Sequence, residues 1–452
     1  MKLRKVFFSA IVAFFCLTLL GLPQAIAFEP LKGDLATFDP NNQIFPTSGD
    51  TIKVAITDVF TGPNAFVGQS YWATLGFVAH DINTQGGILV DGKMKKIQII
   101  KADTQGKPAV GKRAAEKACL QDKVDMFEGV AGSHVSKVLQ QVAKKFKTIY
   151  VNFAAFSDSL MDVPNWNEYT FRINGTASTC GGALAYFYKD RPEKKFYICA
   201  QDYLWGHSFA KAFKTALKKY RPDAEIVGED YHKLFLKDFA PYLEKIRASG
   251  ADVIVTAAWG ADNENMIKQS RQLGLKSPQN PDQYIPIASP FLDDTRPLEV
   301  IGGPAGRGLV LCSDFYLDRR RPMIKKLADI WNKQWKTWKK PYSTELYRWP
   351  GSGWFRNIIG DYWYFDIIQK AGSTKPEKVI PTWEGNTFTQ FDLNIYMRPD
   401  DHQAIMERPV AEMVFPNMWD QPNNAAPGHP VWIPAKYCMP TFDDKLKGRV
   451  KK

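Results

Sequence analysis

Residues that commonly carry catalysis and metal binding are scarce in this chain. Its 452 residues include six histidines and six cysteines. His80, His134, His207, His232, His402 and His429 fall in no H-E-x-x-H or other ligand spacing, so neither a metal nor a cofactor is expected. There is no Walker A sequence and no G-x-G-x-x-G after a strand. Cys119, Cys180, Cys199, Cys312 and Cys438 are spaced neither as a disulfide framework nor as a zinc site, and at most two bridges can form among them. Beyond residue 27 no stretch comes near the roughly 20 apolar residues of a spanning helix. Dense basic clusters are also missing. The net charge is +12, yet Lys and Arg are scattered, as in Lys144-Lys145 and Lys218-Lys219, with only the short run Arg319-Arg320-Arg321. No zinc-finger or homeodomain pattern accompanies them, so a solvated basic surface is expected rather than a nucleic-acid partner.

The chain opens with an export signal. Lys2, Arg4 and Lys5 precede an apolar run from Val6 to Leu22, and Ala25-Ile26-Ala27 forms an A-x-A cleavage site. Residues 1–27 are read as a signal peptide, cleaved near Ala27, followed by a leader at 28–49. Cys16 lies inside the apolar run rather than at its end, so lipidation is not expected. The mature chain of about 425 residues is too long for one core, and two domains are expected.

Strands and helices then alternate. Ile52–Thr57 reads as a strand, and Trp72, Leu75, Ala79 and Ile82 mark one buried face of the helix after it. Further strands are expected at 97–103, 124–130 and 148–153, with Val135, Val138, Leu139, Val142 and Phe146 striping a helix between the last two. The pattern restarts with strands near 196–201, 225–231, 253–258 and 284–288. Such alternation implies two α/β lobes, each a doubly wound parallel sheet. Past residue 311, Trp331, Trp335 and Trp338 have helical spacing and read as lobe core; a Pro-rich tail from Pro409 to Pro440 is expected to cover the second lobe.

The most telling segment is Thr51 to Ile88: a strand, a Gly-Pro turn, a long helix and a Gly-Gly stop. A loop at the carboxyl end of a strand is where open α/β sheets bind small ligands. The stretches TGPNAFVG, AHDINTQGGI and GVAGSHVSKVLQQVAKKFKTIYVNFAAFSD resemble the leucine/isoleucine/valine-type periplasmic binding proteins, receptor subunits of ABC importers. So do YTFRINGT, QDYLWGHSFAKAF, ADVIVTAAWGADNENMIKQSRQLGL and MRPDDHQA, in this order, over about 50–411. The resemblance implies the venus-flytrap fold (type I periplasmic binding protein), with three hinge crossovers, near 171–173, 311–315 and 383–391. Lobe 1 would take 50–173 and 314–385; lobe 2 would take 174–313 and 386–452.

On the same resemblance, ligand meets the first lobe at Phe66, Val67, Ser133, His134, Ala154, Ala155, Phe156 and Ser157, and the second at Tyr203, Trp205, Trp259 and Phe291. Ser133 opens a helix, whose free N–H groups favour a carboxylate, although a serine there also serves as an N-cap. Phe156 stands where the family commonly has threonine, and Trp259 where it often has a ligand-facing tyrosine. Amino-acid binders of the family place an acidic residue about where Phe291 stands; a phenylalanine there leaves a ligand ammonium unpaired, unless Asp293 or Asp294 substitutes. The expected ligand is a small carboxylate, amide or amino-acid-like molecule with an apolar or aromatic body. The implied partners are the permease and ATPase subunits of an importer, with the receptor itself a periplasmic monomer. The alternative is a sensory module signalling to another protein. Gly206-His207-Ser208-Phe209-Ala210 only faintly resembles a nucleophile elbow, so no enzyme is expected.

Overall fold

The computed structural model describes residues 27–62, 64–162, 164–291, 302–417 and 425–439, with Ser352 and Gly353 described by backbone alone. Except for Ala27, the expected signal peptide lies outside the described residues, as do Asp293 and Asp294.

Two sheets organise the chain. In the first, the strand order is Ile88–Val90, Lys93–Lys101, Thr51–Ile56, Met126–Gly129, Ile149–Asn152 and Thr170–Arg172. All its pairings are parallel except the edge hairpin between Ile88–Val90 and Lys93–Lys101. That hairpin turns at Asp91-Gly92, whose φ angles of 51° and 77° are those a two-residue turn requires. The helices Ala65–Thr84, Pro108–Lys117 and Ser133–Phe146 connect the parallel strands. The N-terminal leader belongs to this lobe: Phe28, Leu31, Leu35 and Phe38 are buried in its core, and the Asp81 carboxylate accepts the Leu31 N–H at 2.7 Å.

The second sheet contains the parallel strands Glu225–His232, Lys195–Gln201, Val253–Val255, Ile287–Ser289 and Leu309–Cys312. The Pro-rich tail extends this sheet instead of lying over it. Arg408–Val414 pairs antiparallel with Leu309–Cys312, and Val431–Ile433 and Ala426–Pro427 pair with Arg408–Val414.

The tryptophan-rich helices return to the first lobe. Trp331, Trp338 and Trp383 are buried in one core with Ile52, Phe77 and Val151, and Ser352–Ala371 packs along Ala65–Thr84. The segment after 386 departs from expectation. A small sheet of Thr387–Phe388, Ile395–Met397 and Ala404–Ile405 buries Phe388, Ile395, Met397 and Ala404 in the first core, while Ile405 packs against the second. The reason is aromatic: Phe388 and Phe391 lie 5.8 and 5.4 Å from Trp363 and Tyr362 of the long helix. The last passage to the second sheet therefore comes at 406–407, later than 383–391.

Where the passages meet, Asp314 Oδ1 accepts the Gly175 N–H at 2.8 Å and an N–H of Arg408. A side chain on Gly175 would stand 2.5 Å from the Arg408 guanidinium, so only glycine lets the segments approach.

Candidate ligand-binding site

Between the two sheets lies a cavity of about 220 Å³. Its lining comes largely from loops that leave the carboxyl ends of strands, where open α/β sheets place ligands. Phe66 and Val67 follow the first strand, Ser133 follows Met126–Gly129, and Ala154 and Phe156 follow Ile149–Asn152. From the second sheet, Tyr203 and Trp205 follow Lys195–Gln201, Trp259 follows Val253–Val255, and Phe291 follows Ile287–Ser289.

Three residues expected at the ligand stand elsewhere. Ala155 turns inward, its N–H donating to Asn152 Oδ1 at 2.9 Å and its carbonyl accepting from Asn152 and Asn174. Ser157 is fully buried, its N–H donating to Ser133 Oγ at 3.2 Å and its carbonyl accepting from Arg172. His134 contacts the Gly106 carbonyl through Nε2 at 3.2 Å and sets its ring edge-on to Tyr203; burial pushes it toward the neutral imidazole.

Ser133 is the first residue of its helix, and Gly132 takes the N-cap position, so the serine does not cap. Its Oγ accepts the Ser157 N–H, which leaves its own hydroxyl hydrogen for a ligand.

The walls are aromatic. Phe156 from the first lobe lies 5.4 Å from Trp205 and 5.3 Å from Phe291, closing a three-ring cluster across the cleft. Trp259 donates its indole N–H to the Tyr203 hydroxyl at 2.8 Å, which orients both rings.

Sequence reasoning missed the contribution of the late helices. Trp349 and Trp354 line the cavity, as do Arg356 and Asn357 from the first turns of Ser352–Ala371. The sequence Trp349-Pro350-Gly351-Ser352-Gly353-Trp354 carries the same loop-into-helix signal as the opening segment, and could have marked them. Tyr71 and Asp314 also reach the cavity. Behind it, Asp58 accepts the Val59 and Ala131 N–H groups at 2.8 and 3.1 Å, and burial pushes its pKa up to about 7. Burial likewise pushes Glu128 up to about 8, and Asp361 beside it upward too. Among the described residues no group of His, Cys, Asp and Glu is arranged to hold a metal ion.

The sequence profile of the periplasmic binding proteins matches residues 51–416. The chain belongs to that family. Among its relatives are the Leu/Ile/Val-binding protein homolog 4 of Brucella abortus, 27% identical over 240 residues, and the Leu/Ile/Val-binding protein of Escherichia coli K12, 23% identical over 229. These matches cover 51% and 50% of this chain and 56% and 60% of the relatives, so little more than half of each relative is spanned. Among solved structures, the Brucella ovis binding protein for leucine, isoleucine, valine, threonine and alanine shares the fold. Its TM-score is 0.73 at 21% identity, over 88% of this chain and 98% of that one. An ABC-transporter solute-binding protein of Rhodopseudomonas palustris BisB5, in complex with 3,4-dihydroxybenzoic acid, gives 0.71 at 20%, over 85% and 98%. The type I periplasmic binding fold is therefore that of this chain.

Proposed function

We propose that this periplasmic binding protein is the solute receptor of an ABC importer, binding a small carboxylate, amide or amino-acid-like ligand with an apolar or aromatic body. The observation that carries the reading is the composition of the cleft. Phe66, Phe156, Trp205, Trp259 and Phe291 converge on one cavity from loops of both sheets, with few polar groups among them. Such a cavity selects a flat apolar body and fixes its orientation through one or two hydrogen bonds. The aromatic acid held by the Rhodopseudomonas neighbour is in keeping with this chemistry. Phe291, where an acidic residue would pair a ligand ammonium, weighs against a free α-amino acid.

The receptor acts in the periplasm after removal of residues 1–27, as a monomer without catalytic activity, and hands its ligand to a permease driven by a separate ATPase. Lobe closure about the three passages buries the ligand. A thermal-shift screen of aromatic acids, their amides and branched-chain amino acids tests the ligand class. Strong stabilisation by branched-chain amino acids with no response to aromatic compounds would refute the weight given to Phe291 and the exclusion of a free α-amino acid. Co-purification with a membrane permease is the expected partner result; capture of a signalling kinase instead would refute the transport role.

A further inference from the structure

Arg356 reaches the cleft with more charge and hydrogen-bonding capacity than its protein partners satisfy. It projects from the second turn of Ser352–Ala371, the helix whose N-cap, Gly351, also lines the cavity. The residue is 7% exposed, and what remains accessible faces the cavity. Two contacts hold its plane. Nη1 donates to Asp314 Oδ2 at 2.5 Å, and the guanidinium carbon lies 5.4 Å from the ring centre of Phe156.

Asp314 does not neutralise it. The same carboxylate also takes Arg408, which is 0% exposed, and the Gly175 N–H. Two guanidinium groups thus share one carboxylate, leaving one positive charge in excess beside the cavity. Among the described residues, Nε of Arg356 has no hydrogen-bond partner, nor does the side-chain amide of its neighbour Asn357. Other acidic groups nearby supply the missing charge only in part. Glu345 is paired with Arg348 at 3.2 Å. Asp58, which interacts with Arg356, is pushed by burial up to about 7, so near neutral pH it carries only a fraction of a negative charge. A buried cation short of counter-charge is costly, and an incoming carboxylate would relieve it. The planar fork of arginine suits a carboxylate, and the helix N-terminus adds partial positive charge from the same side.

We propose that Arg356 is the specificity-determining residue of the cleft, receiving the carboxylate of an aromatic acid and discriminating against the neutral amide of the same body. This rests on the receptor reading and deepens it, because aromatic walls alone would accept acid and amide alike.

The test is titration calorimetry on the purified mature protein with benzoate, phenylacetate and phenylpropionate, each beside its primary amide, and with leucine. The wild type is expected to bind at least one acid about 10- to 100-fold more tightly than its amide, the worth of a hydrogen bond to a charged group. Arg356→Gln should lose that preference while amide affinity changes little, and Arg356→Lys should keep part of it. The wild-type acid–amide comparison needs no variant, so a misfolded mutant does not shield the proposal. Equal affinity for acid and amide, or undiminished acid binding by Arg356→Gln, overturns the role of Arg356 and leaves the receptor reading standing. Binding of leucine alone does the same. Silence from every compound overturns both.

Discussion

Asp314 and Arg408 form an ion pair whose side chains are 1% and 0% exposed, at the point where the passages between the lobes meet. Removing the carboxylate would leave two guanidinium groups buried side by side. Asp314→Asn is therefore expected to lower stability by about 3–5 kcal/mol. Urea unfolding checks this, and a loss below about 1 kcal/mol would contradict the central place given to this pair.

Stability should also depend on pH through Glu128. Burial raises its folded-state pKa from 4.5 to about 8, and Asp361 and Asp58 are displaced in the same direction. A raised acid keeps its proton in the folded protein after the unfolded chain has lost it. Its stabilising contribution is full below the unfolded value of about 4.3 and lost as pH climbs through about 8. Melting temperature should fall between pH 5 and pH 8. Glu128→Gln, which cannot ionise, should flatten that slope in part, with Asp58 and Asp361 accounting for the remainder. An unchanged slope in the variant would exclude Glu128 as a source.

Trp259 tests the aromatic wall. Its indole is tied to Tyr203 and faces the cavity, so ligand entry should change tryptophan fluorescence. Trp259→Ala should diminish that change and weaken affinity by about 1.5–3 kcal/mol, the burial worth of a large apolar side chain. Affinity equal to the wild type would remove Trp259 from the site.

His402 is expected to matter for folding alone. Its ring is fully buried, stacks on Phe171 with centroids 4.1 Å apart, and contacts Glu384 and the Thr170 carbonyl at 2.9 and 3.1 Å. His402→Ala opens a cavity and strands those partners, at a cost of about 2–4 kcal/mol. Ligand affinity measured well below the melting temperature should stay near the wild-type value; a large loss would place His402 in the binding machinery.

Much of the cleft was legible because its first contributors are local. Ser133, Trp205 and Phe291 each follow a strand within a few residues and Phe66 follows the first strand across one turn, and a parallel sheet brings all such loops to one edge. Within a loop, the reading blurred. Ala154 and Phe156 face the cavity while Ala155 and Ser157 turn away, and hydrogen bonds from their N–H groups to Asn152 and Ser133 make that choice. Trp331 and Trp338 proved to be core, as their helical spacing indicates, whereas Trp349 and Trp354, in the loop and helix that follow, face the site.

The sequence alone determined the class of fold, since alternating apolar periods of two and 3.6 residues leave few arrangements other than helices packed on parallel sheets. It also determined that the cleft would be aromatic. The tertiary structure alone decided where its positive charge lies. Arg356 and Arg408 stand 42 and 94 residues from Asp314, and no local pattern links them. They meet because the chain passes between its lobes more than once, and burial then forces the charged groups of those passages to find one another.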